Sequence, residues 1–224
     1  MNKAFTFVRL DYLTVKPYLT LKNLIIFTIV AIIMMFNSNN SISAIAILMV
    51  FAGLYVSYPF AVGEKNGIDA LYTTLSIQRS TVVVGRYLFA LIVNACAGLL
   101  AYVFAYLVSM VLNKDFNLVE SFVSTLVMFA IFSIIQAIQI PIYFKLGYAK
   151  AKFFAYLPFV GLPLVVILLT NYLKEKISSD QMNDIFIWME TNTFTAVLIG
   201  VMIWLVIMLI SLQTSLAFYN KREF

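Results

Sequence analysis

The sequence contains no histidine and a single cysteine, Cys96, which lies within an apolar run. One cysteine cannot form a disulfide within the chain, and the absence of histidine excludes Cys/His metal sites and histidine-based catalytic triads. We therefore expect no metal site and no catalytic residues. Cys96 is expected to pack as a small side chain against a helix or lipid.

Charged residues are also scarce, at 11% of the 224 residues, whereas hydrophobic residues make up 63%. Soluble globular domains contain about 25% charged and about 45–50% apolar residues. No polar stretch is long enough to form a soluble domain, so we expect residues 1–224 to form a single transmembrane domain. The sequence also lacks a Gly-x-x-x-x-Gly-Lys-Ser/Thr phosphate loop, which excludes ATP hydrolysis by that route.

Long apolar runs predict an all-α polytopic membrane protein with six transmembrane helices, since about 20 apolar residues cross a bilayer. The predicted spans are residues 21–36, 42–62, 81–112, 120–144, 153–173 and 193–219. A signal peptide is a competing interpretation of the first run, because the triplet at residues 44–46 resembles a cleavage site. That triplet begins the next apolar run, however, so we predict a hairpin of two spans.

The first 20 residues are amphipathic rather than long enough and apolar enough to span a bilayer. Residues 1–20 interleave apolar side chains with the charged residues Lys3, Arg9, Asp11 and Lys16. This pattern predicts an interfacial helix whose charges face anionic lipid headgroups. The alternative is a basic tail that precedes the first span.

Basic residues are distributed unevenly between the two sides of the predicted membrane domain. Six spans place both termini on one side, and that side holds twelve Lys and Arg residues against four acids. The twelve are Lys3, Arg9, Lys16, Lys22, Lys65, Arg79, Arg86, Lys145, Lys150, Lys152, Lys221 and Arg222. The opposite side holds Lys114, Lys174 and Lys176 against six acids. This bias predicts cytoplasmic termini and explains the net charge of +5 without a nucleic-acid partner.

The densest charge cluster lies between the second and third spans, in the stretch 58–87. Its charged residues include Glu64, Lys65, Asp69 and Arg79. Four apolar residues follow the i, i+3, i+4, i+7 spacing of a short amphipathic helix: Ile68, Leu71, Tyr72 and Leu75. Such a helix would lie against a membrane surface or a partner protein. The alternative is an ordinary solvated loop between two spans.

The same stretch resembles the first cytoplasmic loop of ABC-2-type ABC exporter permeases. The matching positions are Pro59, Phe60, Glu64, Lys65, Gly67, Leu75, Arg79, Val83, Arg86 and Tyr87. In that family the loop forms a coupling helix that docks on a separate ATP-binding subunit. The resemblance implies a permease of the bacterial plasma membrane with a cytoplasmic ABC ATPase subunit, a second permease copy or homologue, and lipid as partners. ATP and Mg would bind the ATPase, and this chain would bind no cofactor.

The resemblance also assigns roles to residues and segments. The ATPase-coupling residues would be Glu64, Lys65, Gly67, Asp69, Leu71, Leu75 and Arg79. Charge reversal at Glu64 or Arg79 is expected to uncouple ATP turnover from transport. Residues 1–20 would form an elbow helix, and the apolar connection 174–192 would hold a short re-entrant or interfacial helix.

Uncharged polar and aromatic side chains recur on one face of the fourth and of the sixth predicted span. They are Phe132, Gln136, Gln139, Tyr143, Ser211 and Thr214, with Ser215 beside them. One interpretation is a translocation path for an amphipathic substrate. The other is hydrogen bonding between helices, worth about 0.6 kcal/mol per contact.

Two hypotheses of different classes follow. The first is the permease subunit of an exporter that moves a hydrophobic or amphipathic substrate, such as a peptide, antimicrobial or drug-like molecule. The second is a non-transporting membrane scaffold or sensor subunit that uses the same loop to dock a cytoplasmic partner. Secondary transport normally needs ionisable residues inside the membrane, and the predicted spans have almost none away from their ends.

Overall fold

The computed structural model describes residues 3–38, 41–68, 71–72, 77–176 and 179–222, and these residues are helical apart from short turns. The helices are α1 (Lys3–Val15), α2 (Leu21–Ser38), α3 (Ser41–Tyr55), α4 (Tyr58–Lys65), α5 (Arg79–Val111), α6 (Leu118–Leu146), α7 (Tyr148–Lys176), α8 (Ser179–Thr191) and α9 (Thr193–Asn220). A short 3-10 turn, Lys16–Tyr18, follows α1. Residues 68 and 71–72 are also helical.

Five stretches among the described residues are long and apolar enough to cross a membrane. They are Leu21–Ser38, Ile42–Lys65, Arg79–Val111, Leu118–Leu146 and Thr193–Asn220. The remaining predicted span, 153–173, falls within α7, a helix of 29 residues whose side chains are described only in part. The prediction of an all-α polytopic membrane protein is confirmed.

The second predicted span consists of two helices rather than one. A turn at residues 56–57 separates α3 from α4, and the Ser57 hydroxyl there donates a 2.7 Å hydrogen bond to the Leu54 carbonyl. Pro59 lies in the first turn of α4, where its missing N–H loses no helical hydrogen bond. As a result Glu64 belongs to a second helix that follows the turn, whereas the sequence analysis placed it in a loop.

The connection between the fourth and fifth predicted spans, residues 145–152, is also shorter than expected. Only Gly147 separates α6 from α7, so Lys145 and Lys150 are helical. Gly147 has φ +75° and ψ 165°, a conformation that essentially only glycine adopts. This single residue therefore reverses the chain between two long helices.

Small side chains bring α3, α5 and α6 close together. Gly98, Ala101 and Ala105 are buried on α5. A Cβ added to Gly98 would lie 3.2 Å from Cγ2 of Thr125 on α6 and 3.6 Å from Sδ of Met49 on α3. Small residues three and four positions apart therefore let α5 pack closely against its neighbours.

Polar side chains satisfy helix ends at the turn that joins α5 to α6. Lys114 Nζ donates a 3.2 Å hydrogen bond to the carbonyl of Met35, near the end of α2. Asn117 Oδ1 accepts from the N–H groups of Val119 and Glu120 at 3.1 and 3.2 Å. These contacts compensate groups that have no partner within their own helix.

Helix α1 packs against α5 along a stripe of three residues, Phe7, Asp11 and Val15, each 2% exposed. Side chains on its other faces, such as Phe5 and Leu13, stay 57% and 50% exposed. A helix at this position was predicted, but Asp11 was placed among the charges that face headgroups. That placement was wrong, because the carboxylate is buried against α5.

Helix α9 contacts the other described helices mainly near its C-terminal end. Its buried residues are Ser211, Ser215 and Tyr219. Upstream apolar side chains are open, with Phe194 81% and Leu209 58% exposed. In a membrane protein such apolar surface faces lipid or another membrane-embedded chain.

Candidate functional site

Most residues predicted to couple to an ATPase lie at one end of the molecule, which we call the basic end. It comprises α1, α4, the start of α5, the α6–α7 junction at Gly147 and the end of α9. A shared core holds these elements together, formed by Phe7, Val56, Tyr72, Val82, Val83, Tyr87, Ala90, Ile140, Phe144 and Tyr219. The described part of the loop between α4 and α5, residues 66–78, is therefore part of a packed assembly of helix ends.

The predicted coupling residues occupy different positions around this loop. Glu64 and Lys65 end α4, and Arg79 begins α5. Gly67 has φ +63° in the turn after α4, which explains the glycine there. The side chain of Leu71 is 53% exposed. Asp69 and Leu75 lie outside the described residues.

Glu64 contacts the start of α7. Its Oε2 accepts a 3.0 Å hydrogen bond from the N–H of Ala149, the second residue of that helix. The first four N–H groups of a helix lack partners within the helix and carry partial positive charge. A carboxylate at this position therefore both satisfies a donor and matches the helix dipole.

The side chains of Glu64 and Arg222 converge above Gly147. A Cβ added to Gly147 would lie 3.0 Å from Oε2 of Glu64 and 3.1 Å from Nη2 of Arg222. Both side chains line a small cleft together with Arg86 and Tyr148. The absence of a side chain at Gly147 therefore leaves room for both charged side chains at this position.

Arg79 contacts the end of α9. Its Nη1 donates hydrogen bonds to the carbonyl oxygens of Tyr219 and Asn220, the former at 3.0 Å. These are the last two residues of α9, whose carbonyls carry partial negative charge. The Arg79 guanidinium also lies 6.0 Å from the centre of the Tyr219 ring. Arg79 thus links the start of α5 to the end of α9.

Arg86 and Asp11 form a buried ion pair between α5 and α1. Arg86 Nη1 lies 2.9 Å from Asp11 Oδ1, and the side chains are 4% and 2% exposed. The guanidinium also lies over the ring of Phe60, 4.7 Å from its centre, which connects it to α4. Desolvation makes such a pair expensive, so its two partners depend strongly on each other.

Phe7 fills the space next to Gly85 on α5. A Cβ added to Gly85 would lie 2.8 Å from the Cβ of Phe7, so the two backbones approach as closely as glycine allows. The Phe7 ring also packs edge-on against Tyr72, with ring centres 4.9 Å apart. Phe7 therefore contacts both α5 and the helical residues of the loop.

Gln136, one of the predicted path residues, pairs with Asn94 of α5. Asn94 Nδ2 donates to Gln136 Oε1 at 2.8 Å, and Gln136 Nε2 donates to Asn94 Oδ1 at 2.9 Å. Both residues are buried, at 0% and 2% exposure. The two amides satisfy each other, which is the arrangement expected for a hydrogen bond between helices.

Ser211, another predicted path residue, joins three helices. Its hydroxyl contacts the Ala137 carbonyl on α6 and the Tyr87 hydroxyl on α5, which also pairs with Ser215 at 2.8 Å. All of these side chains are buried. The cluster holds the C-terminal part of α9 against α5 and α6.

The remaining predicted path residues are also placed by the structure. Phe132, Gln139 and Tyr143 are buried, at 5%, 5% and 2% exposure, and Tyr143 stacks on Phe60 with centres 4.9 Å apart. Thr214 donates to the Ile210 carbonyl within α9 at 2.7 Å. Phe132, Gln139 and Tyr143 are thus buried within one protomer, whereas Thr214 bonds within its own helix. The hypothesis of a path lined by these residues stays a prediction.

Comparison with known proteins identifies the family. The family model described as ABC-2 family transporter protein matches residues 7–220. The chain belongs to the ABC-2 transporter family. No curated protein and no solved structure matches it. The match confirms the resemblance seen in the loop and extends it to nearly the whole chain. This ABC-2 protein is a membrane-embedded transporter subunit.

Sequence reasoning missed several residues of this ABC-2 protein's basic end. Gly85 and Gly147 received no role, and Asp11 was assigned to the headgroups. Arg86 was counted only among the basic residues and as a match to the loop pattern. An acidic residue in an otherwise basic amphipathic segment was the available signal for Asp11. Its partner lies 75 positions away, and the spacing of residues carries no information about such a contact.

Proposed function

We propose that this protein is the permease subunit of an ABC-2-type exporter whose ATP hydrolysis is performed by a separate cytoplasmic ATPase. The observation that supports this most directly is the loop at the basic end. Lys65 beside the loop and Asn66, Gly67 and Leu71 within it are exposed. Glu64 and Arg79, on either side, hydrogen-bond to the ends of α7 and α9. The chain itself has no phosphate loop, so an energy source has to come from another subunit.

The basic end faces the cytoplasm in this proposal, and the membrane is the bacterial plasma membrane. The excess of Lys and Arg on that side supports the orientation through the positive-inside rule. The permease acts as a dimer with a second copy or a homologue. The exposed apolar outer part of α9, represented by Phe194 and Val197, is compatible with a further membrane-embedded partner.

The substrate in this proposal is hydrophobic or amphipathic, and it moves outwards. Uncharged, apolar helices support such a cargo because they offer no compensation for a strongly charged molecule in the membrane. ATP-driven closure of the ATPase pair moves the loop, and the movement passes into α3, α4 and α5. The permease then opens outwards.

A pull-down tests the proposal. The tagged permease is purified from its native host in mild detergent, and the proteins that accompany it are identified by mass spectrometry. We expect a stoichiometric soluble protein with a phosphate loop. Recovery of the permease alone, or with a partner that is no ATPase, under conditions that preserve a known ABC complex would favour the scaffold hypothesis.

Two matched variants make this test specific for the loop. Leu71 and Leu118 are 53% and 54% exposed, and only Leu71 lies in the loop. Leu71→Asp is expected to abolish ATPase capture, whereas Leu118→Asp is expected to retain it. Equal capture by both variants would contradict docking at the loop.

A further inference from the structure

We propose that Glu64 and Arg79 are positioning residues inside the permease and not contacts with the ATPase. They attach the two ends of the loop, residues 66–78, to the ends of α7 and α9. This inference rests on the proposed coupling role of the loop. It divides the charged residues of the loop region into those that hold the loop and those that face a partner.

The first attachment is the contact of Glu64 with α7. Its carboxylate accepts the N–H of Ala149 at 3.0 Å across 85 positions of sequence. The carboxylate is directed at the first turn of α7, where the helix dipole favours negative charge. Arg222, from beyond the end of α9, reaches the same place above Gly147. Although Glu64 is exposed, one oxygen of its carboxylate is therefore engaged within the protomer.

The second attachment is the contact of Arg79 with α9. Its guanidinium donates to the carbonyls of Tyr219 and Asn220, about 140 positions away, and Arg79 is only partly exposed. The last turn of a helix favours positive charge, so the sign of Arg79 fits its site as the sign of Glu64 fits its own. The acidic residue lies at a helix start and the basic residue at a helix end, so both contacts match the helix dipole. Such a match argues against accidental contacts.

The two attachments flank the loop. Glu64 lies two residues before it, and Arg79 follows its last residue directly. What remains for a partner is the exposed part between them, which includes Lys65, Asn66, Gly67 and Leu71. A force on this exposed part would reach the first turn of α7 and the last turn of α9 through Glu64 and Arg79. Because α9 is buried mainly at that end, its attachment there controls where the helix sits.

Hydrogen–deuterium exchange of the full-length permease in detergent tests the attachments without any ATPase. Glu64→Ala removes the acceptor of the Ala149 amide, and Arg79→Gln weakens the contact with the last turn of α9. Lys65→Ala is the matched control, since Lys65 is the exposed neighbour of Glu64 in the same helix. A hydrogen bond to a charged group is strong enough to slow exchange about tenfold.

We expect exchange at the start of α7 to rise about tenfold in Glu64→Ala, on the same basis, and to stay unchanged in Lys65→Ala. Glu64→Gln keeps an acceptor and is expected to lie between wild type and Glu64→Ala. Exchange in the last turn of α9 is expected to rise in Arg79→Gln. Unchanged exchange in both Glu64→Ala and Arg79→Gln would overturn the inference.

ATPase capture and ATP turnover complete the test. Glu64→Ala and Arg79→Gln are expected to capture the ATPase as wild type does, while the stimulation of ATP turnover by the permease falls. Loss of capture in either variant overturns the division of roles. If wild type captures no ATPase, the proposed function fails, and the exchange measurement still decides whether the attachments exist.

Discussion

The carboxylate of Asp11 lies 2.9 Å from the guanidinium of Arg86, and both side chains are almost completely buried. Replacing such a pair by apolar residues of similar size is often neutral, whereas removing one partner leaves an uncompensated charge. The pair therefore gives a specific position to α1 on α5 more than it gives stability. It also makes the N-terminal helix part of the packed basic end.

Single substitutions at this pair should destabilise the protein much more than the double substitution does. Asp11→Leu or Arg86→Met is expected to lower the free energy of unfolding by about 3–5 kcal/mol, because the remaining charge stays buried. The double variant is expected to recover most of this loss. Unfolding in detergent, followed by tryptophan fluorescence or circular dichroism, measures all three.

Arg9→Leu is the control for that series, since Arg9 is exposed on the same helix. Its effect on the midpoint of unfolding should be small. A double variant that is as unstable as the sum of the single variants would show that Asp11 and Arg86 do not act as a pair.

Gly85→Ala tests the close approach of α1 and α5. The new Cβ would come within 2.8 Å of the Cβ of Phe7, so either α1 or α5 has to shift. Overpacking of this kind is expected to cost about 1–3 kcal/mol and to expose α1 to limited proteolysis. Gly200→Ala in α9 meets nothing within 4 Å and serves as the control. Equal protease resistance of the two variants would be inconsistent with a tightly docked α1.

Gly147→Ala tests the junction between α6 and α7. The substitution combines an unfavourable backbone conformation with contacts of 3.0 Å to Glu64 and 3.1 Å to Arg222. We expect a loss of about 1–3 kcal/mol in stability. Gly161→Ala, within α7, should be neutral or slightly stabilising, as a Cβ there meets nothing within 4 Å. Thermal unfolding of the two variants is measured side by side. Equal stability of Gly147→Ala and the wild type would contradict the expected strain at residue 147.

Asn94 and Gln136 provide a double-mutant cycle inside the membrane domain. Each single substitution to Leu leaves one buried amide without its partner, and the double substitution removes both. The measured coupling is expected to be about 0.6–1.7 kcal/mol, between the average and the maximum found for hydrogen bonds between membrane helices. The free energies of unfolding of the four proteins give this value.

The same four proteins address whether Gln136 lines a path. If the pair only joins α5 to α6, the double variant should keep the transport of a fluorescent amphipathic dye in proteoliposomes containing the ATPase. A changed preference among dyes with unchanged stability would instead support a role in the translocation path.

The apolar runs allowed most of the helices to be predicted, because length and hydrophobicity alone decide which segments can cross a bilayer. They did not allow the turn at residues 56–57 or the one-residue junction at Gly147 to be predicted. Both depend on how α4 and α7 pack against other helices. Hydrophobicity does not reveal such packing, because the residues before and after each turn are equally apolar whether or not the helix is interrupted.

The loop was recognisable from its charges and helical spacing, but the partners of those charges were not. Glu64 and Arg79 contact helix ends that lie 85 and about 140 positions away. A charge in a loop has the same local pattern whether it faces water, a partner protein or a helix end. Only the arrangement of α7 and α9 in space distinguishes these cases.

The contact of Lys114 with the Met35 carbonyl has a consequence for biosynthesis. The two residues are 79 positions apart, so α2 leaves the ribosome and enters the membrane long before Lys114 has been synthesised. Asp11 likewise precedes Arg86. Until α5 and the turn after it have been translated and inserted, the Met35 carbonyl and the Asp11 carboxylate therefore depend on water and headgroups.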